Sequence, residues 1–276
     1  MDFMKFLKSV ALAAAVILPQ SALASSGGPA LPEQTWNFQG IFGQFDQSAL
    51  KRGARVTVEV CMACHSVKYI KFDSLKQLGF SEAEVIALAE AQSRNKKDRM
   101  LSPMDPVAAK DTFGVTPPDL SLITKARKGY EDYTYALLTG YLTDADRALV
   151  QKVMEDGALS DSELKELSSA LGLDPHHPEK AKEILTRIQA NENFNKYFPG
   201  HFLAMPQPLN DGAVTYPDGV ESSLKQMSQD VVTFLAWAAE PTLMERKSLG
   251  VKVMLYLVLL TVMFYAVKRR IWAKVH

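Results

Sequence analysis

The chain has 276 residues, and its 31 basic and 31 acidic side chains balance at pH 7. Once the two terminal segments described below are set aside, residues 25–247 hold 24 basic and 30 acidic residues, a net charge of about −6. This acidic body argues against a nucleic-acid partner and is compatible with either a basic protein partner or ordinary solubility.

The N-terminus has the pattern of an export signal. Lys5 and Lys8 precede an apolar run over residues 10–18, and Ala-Leu-Ala at residues 22–24 follows as a small-residue cleavage site. The apolar run is too short to span a membrane. We therefore expect residues 1–24 to be a secretory signal peptide and the mature protein to begin near Ser25.

The most informative segment is Cys-Met-Ala-Cys-His at residues 61–65, the C-x-x-C-H pattern of covalent haem attachment. Its two thiols can add to the two vinyl groups of one haem, and His65 can then offer an imidazole to the iron. Cys61 and Cys64 are the only cysteines of the chain, so no other thiol competes for them. We expect a helix that begins after Asp46 to lead up to this motif, with Gly53 allowing close approach of another helix.

Two other uses of a C-x-x-C pair fit the chain less well. A zinc site would need a second C-x-x-C or H-x-x-x-H half, which the sequence lacks. A thioredoxin-like redox pair needs a βαβ context, whereas the surrounding sequence predicts helix and loop. The export signal also favours haem, because bacteria complete covalent haem attachment outside the cytoplasm.

After the motif, the sequence predicts two helices and a long loop. Ser81 and Glu84 form a capping box at the start of a helix that runs to about Ala91. Residues 100–119 are rich in Pro, Gly and Asp and predict a loop. Residues 133–141 predict a short helix.

Residues 143–190 have the pattern of an insertion built from a pair of helices. Ser160 and Glu163 form a second capping box, and Gly172 ends the helix that it opens. Pro178 can be the first residue of the next helix. We expect this pair to pack on the rest of the exported domain.

The C-terminal part predicts a membrane anchor. A helix over residues 222–239 ends before Pro241, and residues 249–267 are then apolar except for Lys252. At about 1.5 Å per residue this stretch is roughly 28 Å long, enough to cross the hydrocarbon core. Basic residues at 268–270 follow at once, as the positive-inside rule requires. We expect a haem domain over residues 25–247, a transmembrane helix over 248–267 and a cytoplasmic tail over 268–276.

A haem iron held by one histidine needs a second ligand if its other face is to be closed, and a thioether ligand raises the redox potential. Met205 is the favoured candidate, because Pro206 and Pro208 stiffen its loop. Met104 and His201 remain as rivals.

Four stretches of the chain resemble the cytochrome c1 family, the haem subunits of ubiquinol–cytochrome c reductase. They come in the family's order and span most of the mature chain: residues 52–66 with Arg-Gly and the C-x-x-C-H motif, 117–141 with Pro-Pro-Asp-Leu-Ser and Leu-Thr-Gly-Tyr, 197–206 with Tyr-Phe-Pro-Gly and Met-Pro, and 230–241 with Trp-Ala-Ala-Glu-Pro. Residues 111–114 and the insertion at 143–190 depart from the family's usual pattern.

The resemblance implies a role for each ligand candidate. Cys61 and Cys64 match the thioether cysteines, His65 matches the proximal ligand of the iron, and Met205 matches the distal ligand.

The resemblance also implies three further haem contacts. Arg127 matches the arginine that pairs with a haem propionate, which needs a cationic or hydrogen-bonding partner when buried. Tyr133 matches a tyrosine near the haem, and Pro118 lies in the loop that packs on the haem's proximal side.

The fold implied by the resemblance is mostly α, a class I cytochrome c-like exported domain with one C-terminal transmembrane helix and one covalent haem c. The implied function is one-electron relay, without bond chemistry, from the Rieske iron–sulfur protein to a soluble or membrane-tethered cytochrome c. The implied neighbours are cytochrome b and membrane lipid, and the implied location is the bacterial inner membrane with the haem domain on the periplasmic side.

Three alternatives to this function stay open on the sequence. The first is another membrane-anchored c-type cytochrome, such as an oxidase subunit or a free-standing carrier. The second is a haem gas sensor or peroxidase, which needs an open sixth position on the iron. The third is a structural thiol protein without haem.

Overall fold

The computed structural model describes residues 30–155, 160–173 and 177–273. The expected signal peptide, residues 1–24, lies outside the described residues. Helices dominate the described part, which confirms the mostly α fold class. In chain order the elements are α1 (Gln47–Glu59), β1 (Val67–Lys71), α2 (Glu82–Glu90), β2 (Arg99–Met100), α3 (Pro106–Phe113), α4 (Tyr130–Thr139), α5 (Asp144–Glu155), α6 (Asp161–Leu171), α7 (Pro178–Gln189), α8 (Leu224–Ala239) and α9 (Leu243–Trp272), with short 3₁₀ helices at Cys61–Ala63 and Phe72–Leu78.

Helix α1 leads into the cysteine motif and crosses α8 closely. The Asp46 carboxylate accepts hydrogen bonds from the backbone N–H groups of Ser48 and Ala49, at 2.8 and 3.3 Å, and so caps the helix. A Cβ atom at Gly53 would lie 2.0 Å from the carbonyl oxygen of Asp230. Only glycine therefore permits this backbone approach, which fixes the start of the motif against α8.

Two separate apolar clusters stabilise the described residues. The larger lies between α1, α4 and α8 and contains the fully buried Met62 of the motif. The smaller lies in the region that the sequence marks as an insertion. Its buried members are Leu142, Val150, Val153, Leu167, Leu171, Leu173, Ala181, Leu185 and Phe194. Residues 143–190 therefore pack around a core of their own.

The region over 143–190 contains three helices rather than the expected pair. Both capping boxes are confirmed, at Ser81 with Glu84 and at Ser160 with Glu163. The additional helix is α5, which begins just after Thr143. Gly172 ends α6 in the left-handed conformation, and Pro178 is the first residue of α7, both as expected.

The expectation of an uninterrupted loop over residues 100–119 is wrong. β1 and β2 form a two-stranded antiparallel sheet, so the sequence after the motif is not helix and loop alone. Helix α3 then begins at Pro106, where the Asp105 carboxylate accepts from the N–H groups of the first turn, and it ends at Gly114 with a left-handed φ of 73°. Proline and glycine bound this helix instead of preventing it.

Helix α9 is the anchor candidate. It is the one helix of the described residues long and apolar enough to cross a membrane, and none of its apolar window is buried against the rest of the chain. The predicted span, residues 248–267, lies within it. Two other helices are close to their expected ranges, since α4 begins three residues before Tyr133 and α8 begins at Leu224.

Candidate haem-binding site

The two thiols of the motif lie on a tight turn directly after α1. Residues Cys61–Ala63 form a 3₁₀ turn, and the His65 N–H donates to the carbonyl oxygen of Cys61 at 2.8 Å. Both cysteines are free and partly buried. Burial raises the pKa of the Cys61 thiol to about 12. The turn therefore presents two free thiols and one imidazole within five consecutive residues.

The His65 ring is oriented by a backbone carbonyl. Its Nδ1 lies 2.7 Å from the carbonyl oxygen of Pro118. Because a carbonyl only accepts hydrogen bonds, Nδ1 carries the proton, and Nε2 keeps the lone pair that a metal needs. Burial lowers the pKa of His65, with the Pro118 carbonyl acting in the opposite direction, so the neutral ring is favoured.

The loop that contains Pro118 is bonded to the segment after the motif. The Leu120 N–H donates to the carbonyl oxygen of Ser66 at 2.8 Å. The Asp119 carboxylate accepts from the N–H groups of Lys68, at 3.1 Å, and of Ser121, at 3.0 Å. Sequence reasoning assigned no role of its own to Asp119, whose signal is an Asp after Pro, typical of a turn in which the side chain bonds to its own backbone. These bonds fix the carbonyl that orients His65.

Met104 lies beside this same loop. Ser102 donates from its hydroxyl to the Ala63 carbonyl, at 3.2 Å, and accepts from the Met104 N–H at 3.0 Å. Met104 also lines a surface cavity together with Cys64, Pro117 and Asp119. It is therefore on the side of the motif where the loop holds His65.

Met205 lies on a different loop, which has its own supports. The Tyr141 hydroxyl donates to the Met205 carbonyl oxygen at 3.0 Å. The fully buried Asn195 holds the preceding turn, since its Oδ1 accepts from the Tyr197 N–H at 3.0 Å and its Nδ2 donates to the Leu137 carbonyl at 2.7 Å. Sequence reasoning missed Asn195, whose only signal is an amide side chain just before a Pro-Gly turn.

His201, the other rival ligand, is engaged in packing. Its backbone has a left-handed φ of 65°, and its ring stacks on Phe194 at a centroid distance of 5.5 Å and an interplanar angle of 7°. Burial lowers the pKa of its imidazole. The ring therefore contributes to the border between this loop and the second apolar cluster.

Arg127 and Tyr133 lie close to one another at the start of α4. Arg127 is exposed on the polypeptide surface and donates from Nη1 to the Ala126 carbonyl oxygen at 3.1 Å. Tyr133 is half-buried. Burial raises the pKa of its hydroxyl, and the charge of Arg127 partly offsets this. An arginine with four further donors is thus available beside a half-buried tyrosine, and their haem contacts stay a prediction.

The donor set fits a covalently bound haem. Two thiols three residues apart precede a histidine whose Nδ1 is already bonded and whose Nε2 is left for a metal. No group of three or more His, Cys, Asp or Glu side chains suited to a metal ion occurs within residues 30–155, 160–173 and 177–273. The pair thus resembles a haem attachment site more than a zinc site.

Comparisons with known proteins point to one family. The sequence model of the Cytochrome C1 family matches residues 36–275. The chain is 39% identical to the cytochrome c1 of Rhodospirillum rubrum over 92% of each chain, and 31% identical to that of Rhodobacter capsulatus over 98% of each. It is also 36% identical to a protein of Bradyrhizobium diazoefficiens named cytochrome b/c1, over 93% of this chain but 38% of that longer protein.

Proposed function

Because the chain belongs to the cytochrome c1 family, we propose that it is the haem-carrying subunit of a ubiquinol–cytochrome c reductase and relays single electrons. One observation carries the proposal: the C-x-x-C-H turn presents a histidine whose Nδ1 is bonded to the Pro118 carbonyl, within a chain that matches the family over residues 36–275. Haem c, when bound, supplies an iron that takes up and gives back one electron. The protein's own residues hold that group and exclude other chemistry.

Cys61 and Cys64 form the two thioether bonds in this proposal, and His65 binds the iron through Nε2. Met205 supplies the distal thioether. Two features support Met205 over Met104: its loop is held by the Tyr141 hydroxyl, and Met104 lies on the His65 side of the motif. A thioether on the open face favours the reduced iron and leaves no position for a small ligand.

Arg127, Tyr133 and Pro118 complete the haem pocket. Arg127 binds a propionate, for which its remaining N–H donors form a suitable fork. Tyr133, half-buried in the first turn of α4, contacts the haem nearby. Pro118 acts through its carbonyl, which holds the His65 ring in place.

The proposed partners are a Rieske iron–sulfur protein as electron donor and a soluble or membrane-tethered cytochrome c as acceptor. Cytochrome b is the proposed neighbour in the membrane, and the name cytochrome b/c1 of the Bradyrhizobium relative joins the two proteins. Helix α9 anchors the chain among the lipids of a bacterial inner membrane. Residues 1–24 direct export, residues 25–247 lie in the periplasm, residues 248–267 cross the membrane, and residues 268–276 are cytoplasmic.

The test is to purify the chain from its native membranes, identify the proteins that accompany it, and record a reduced-minus-oxidised spectrum. We expect a c-type haem spectrum, a cytochrome b and a Rieske protein, and no carbon monoxide adduct of the reduced protein. A c-type spectrum with oxidase subunits, or with no partner, would favour another membrane-anchored cytochrome. Carbon monoxide binding would favour a sensor or peroxidase, and a colourless protein would exclude haem.

A further inference from the structure

A loop beside the base of α9 carries two adjacent and exposed apolar side chains. Ile41 is 68% exposed. Phe42, at 82%, is the most exposed large apolar residue in the part of the chain that the structure describes. Isolated exposed apolar residues are common on protein surfaces. Two adjacent ones at the tip of one turn form a small contiguous apolar patch, whose meaning depends on where the turn lies.

The backbone of residues 38–43 is arranged to hold this tip away from the core. Phe38 is buried, and its ring packs 4.7 Å from that of Phe45. Gly40 has a left-handed φ of 72°, and a Cβ atom at Gly43 would lie 1.8 Å from the carbonyl oxygen of Gln39. The left-handed backbone favours glycine at position 40, and the close backbone approach requires glycine at position 43. Ile41 and Phe42 consequently project outward.

A lysine of α9 fixes the position of this turn. Lys247 donates from Nζ to the carbonyl oxygens of Phe38 and Gly43, the second at 3.2 Å. Lys247 precedes Leu249, the first residue of the apolar stretch, by only two positions, which is roughly 3 Å along a helix axis. The turn is therefore held at the level where the anchor passes from water into the bilayer.

We propose that Ile41 and Phe42 insert into the lipid surface and form a second, interfacial membrane contact of the haem domain. The inference rests on the membrane anchor of the proposed function. We commit to lipid because the tip lies beside the point where the apolar part of α9 begins. Aromatic and aliphatic side chains are buried favourably where headgroups meet acyl chains. A second contact restricts rotation of the domain about the axis of α9.

Photo-crosslinking of the full-length chain in its membranes tests this inference. Phe42 is replaced by the photoreactive amino acid p-benzoylphenylalanine, and the mass of the chain is measured after illumination. The same replacement at Val107, which is 69% exposed on α3, controls for exposure alone. A replacement at Leu259, in the middle of the apolar part of α9, controls for the anchor itself. We expect phospholipid adducts at positions 42 and 259 and none at 107.

The outcomes separate the inference from the proposal on which it rests. A lipid adduct at 259 with none at 42 overturns the interfacial contact and leaves the anchor intact. An adduct of position 42 with another protein replaces lipid by a protein partner. Lipid adducts at both 42 and 107 mean that the surface has no specific contact point. The absence of a lipid adduct at position 259 overturns the membrane anchor and, with it, this inference.

Discussion

At the scale of single residues, His65 illustrates how a backbone carbonyl orients an imidazole ring. Its Nδ1 donates to a carbonyl that comes from Pro118, a residue 53 positions further along the chain. A carbonyl cannot lose or gain a proton at physiological pH, so the tautomer of the ring is independent of pH. If His65 binds the iron as proposed, this bond keeps the ring in one orientation while the charge of the iron changes.

Met205→Leu should remove the distal ligand. We expect loss of the weak sulfur–iron absorption band at the red end of the ferric spectrum and a fall in potential on the order of 0.1 V, within the roughly 0.8 V range that axial ligands set. Leucine has a similar volume, so the fold should persist. Met104→Leu is the matched control, and it should keep both the band and the potential. If Met104→Leu loses the band and Met205→Leu keeps it, the distal ligand is Met104.

Arg127→Ala should leave a haem propionate without its cationic partner. Loss of a nearby positive charge favours ferric iron, so the redox potential should decrease, and the thermal stability of the haem protein should decrease with it. Potentiometric titration and thermal unfolding measure the two effects. Lys128→Ala is the control, because it removes an equal charge from the neighbouring exposed position. Equal effects of the two substitutions would show that Arg127 has no specific contact.

At the scale of elements, an ion pair connects α1 to α8 beside the Gly53 crossing. Arg52 donates from Nε and Nη2 to the Asp230 carboxylate, at 2.8 and 3.0 Å, and from Nη1 to Asp218 at 2.8 Å. The Asp230 side chain is 1% exposed and that of Arg52 is 12% exposed. Both carboxylates raise the pKa of Arg52, so its charge is permanent. Since α1 ends in the haem motif and α8 precedes the anchor, this pair joins the two functional ends of the domain.

Arg52→Ala should therefore be strongly destabilising. It leaves Asp230 buried without a counter-ion, which costs about 3–5 kcal/mol in comparable buried pairs. Arg55→Ala, on the same helix, removes an exposed pair with Glu59 and should cost about 0.5 kcal/mol or less. Chemical unfolding of the two variants, followed through the haem absorbance, measures the difference. Similar losses of unfolding free energy in the two variants would mean that the Arg52 ion pair adds no stability beyond the helix propensity of the residue.

The elements also show what the sequence could and could not predict. Capping side chains predicted α1, α2 and α6, and Pro178 at the first helical position predicted α7, because each of these signals acts within one turn of its own helix. Helix α3 escapes sequence-based prediction because Asp, Pro and Gly, which bound it at Asp105-Pro106 and Gly114, are equally typical of loops. The missed start of α5 also had a signal: Thr143 and Asp146 exchange hydrogen bonds as a capping box. The bond from His65 to the Pro118 carbonyl lies outside any local pattern, because it depends on how distant segments pack.

At the scale of the whole molecule, the described residues pack around two apolar clusters. The cluster between α1, α4 and α8 supports the haem motif, and the cluster of residues 142–202 is distinct from it. The second cluster nevertheless reaches the Met205 loop, since Phe202 packs against it and His201 stacks on Phe194. The insertion is therefore placed to affect the Met205 loop, although its helices lie apart from the motif.

The net charge of residues 25–247 leads to a prediction about the proposed electron acceptor. A net charge of about −6 over residues 25–247 attracts a basic soluble cytochrome c. Electrostatic steering of this kind raises association rates by roughly 10- to 1,000-fold. Exposed charges are screened over roughly 8–10 Å at 0.1–0.15 M salt. We therefore expect the second-order rate of electron transfer to a basic cytochrome c to fall about tenfold or more between low and physiological ionic strength. Stopped-flow kinetics over a salt series measure this rate, and a small acceptor without net charge, which should show no salt dependence, is the control. A flat dependence with the basic acceptor would mean that the acidic surface serves solubility, or that the natural acceptor is tethered to the membrane and reaches the haem domain without steering.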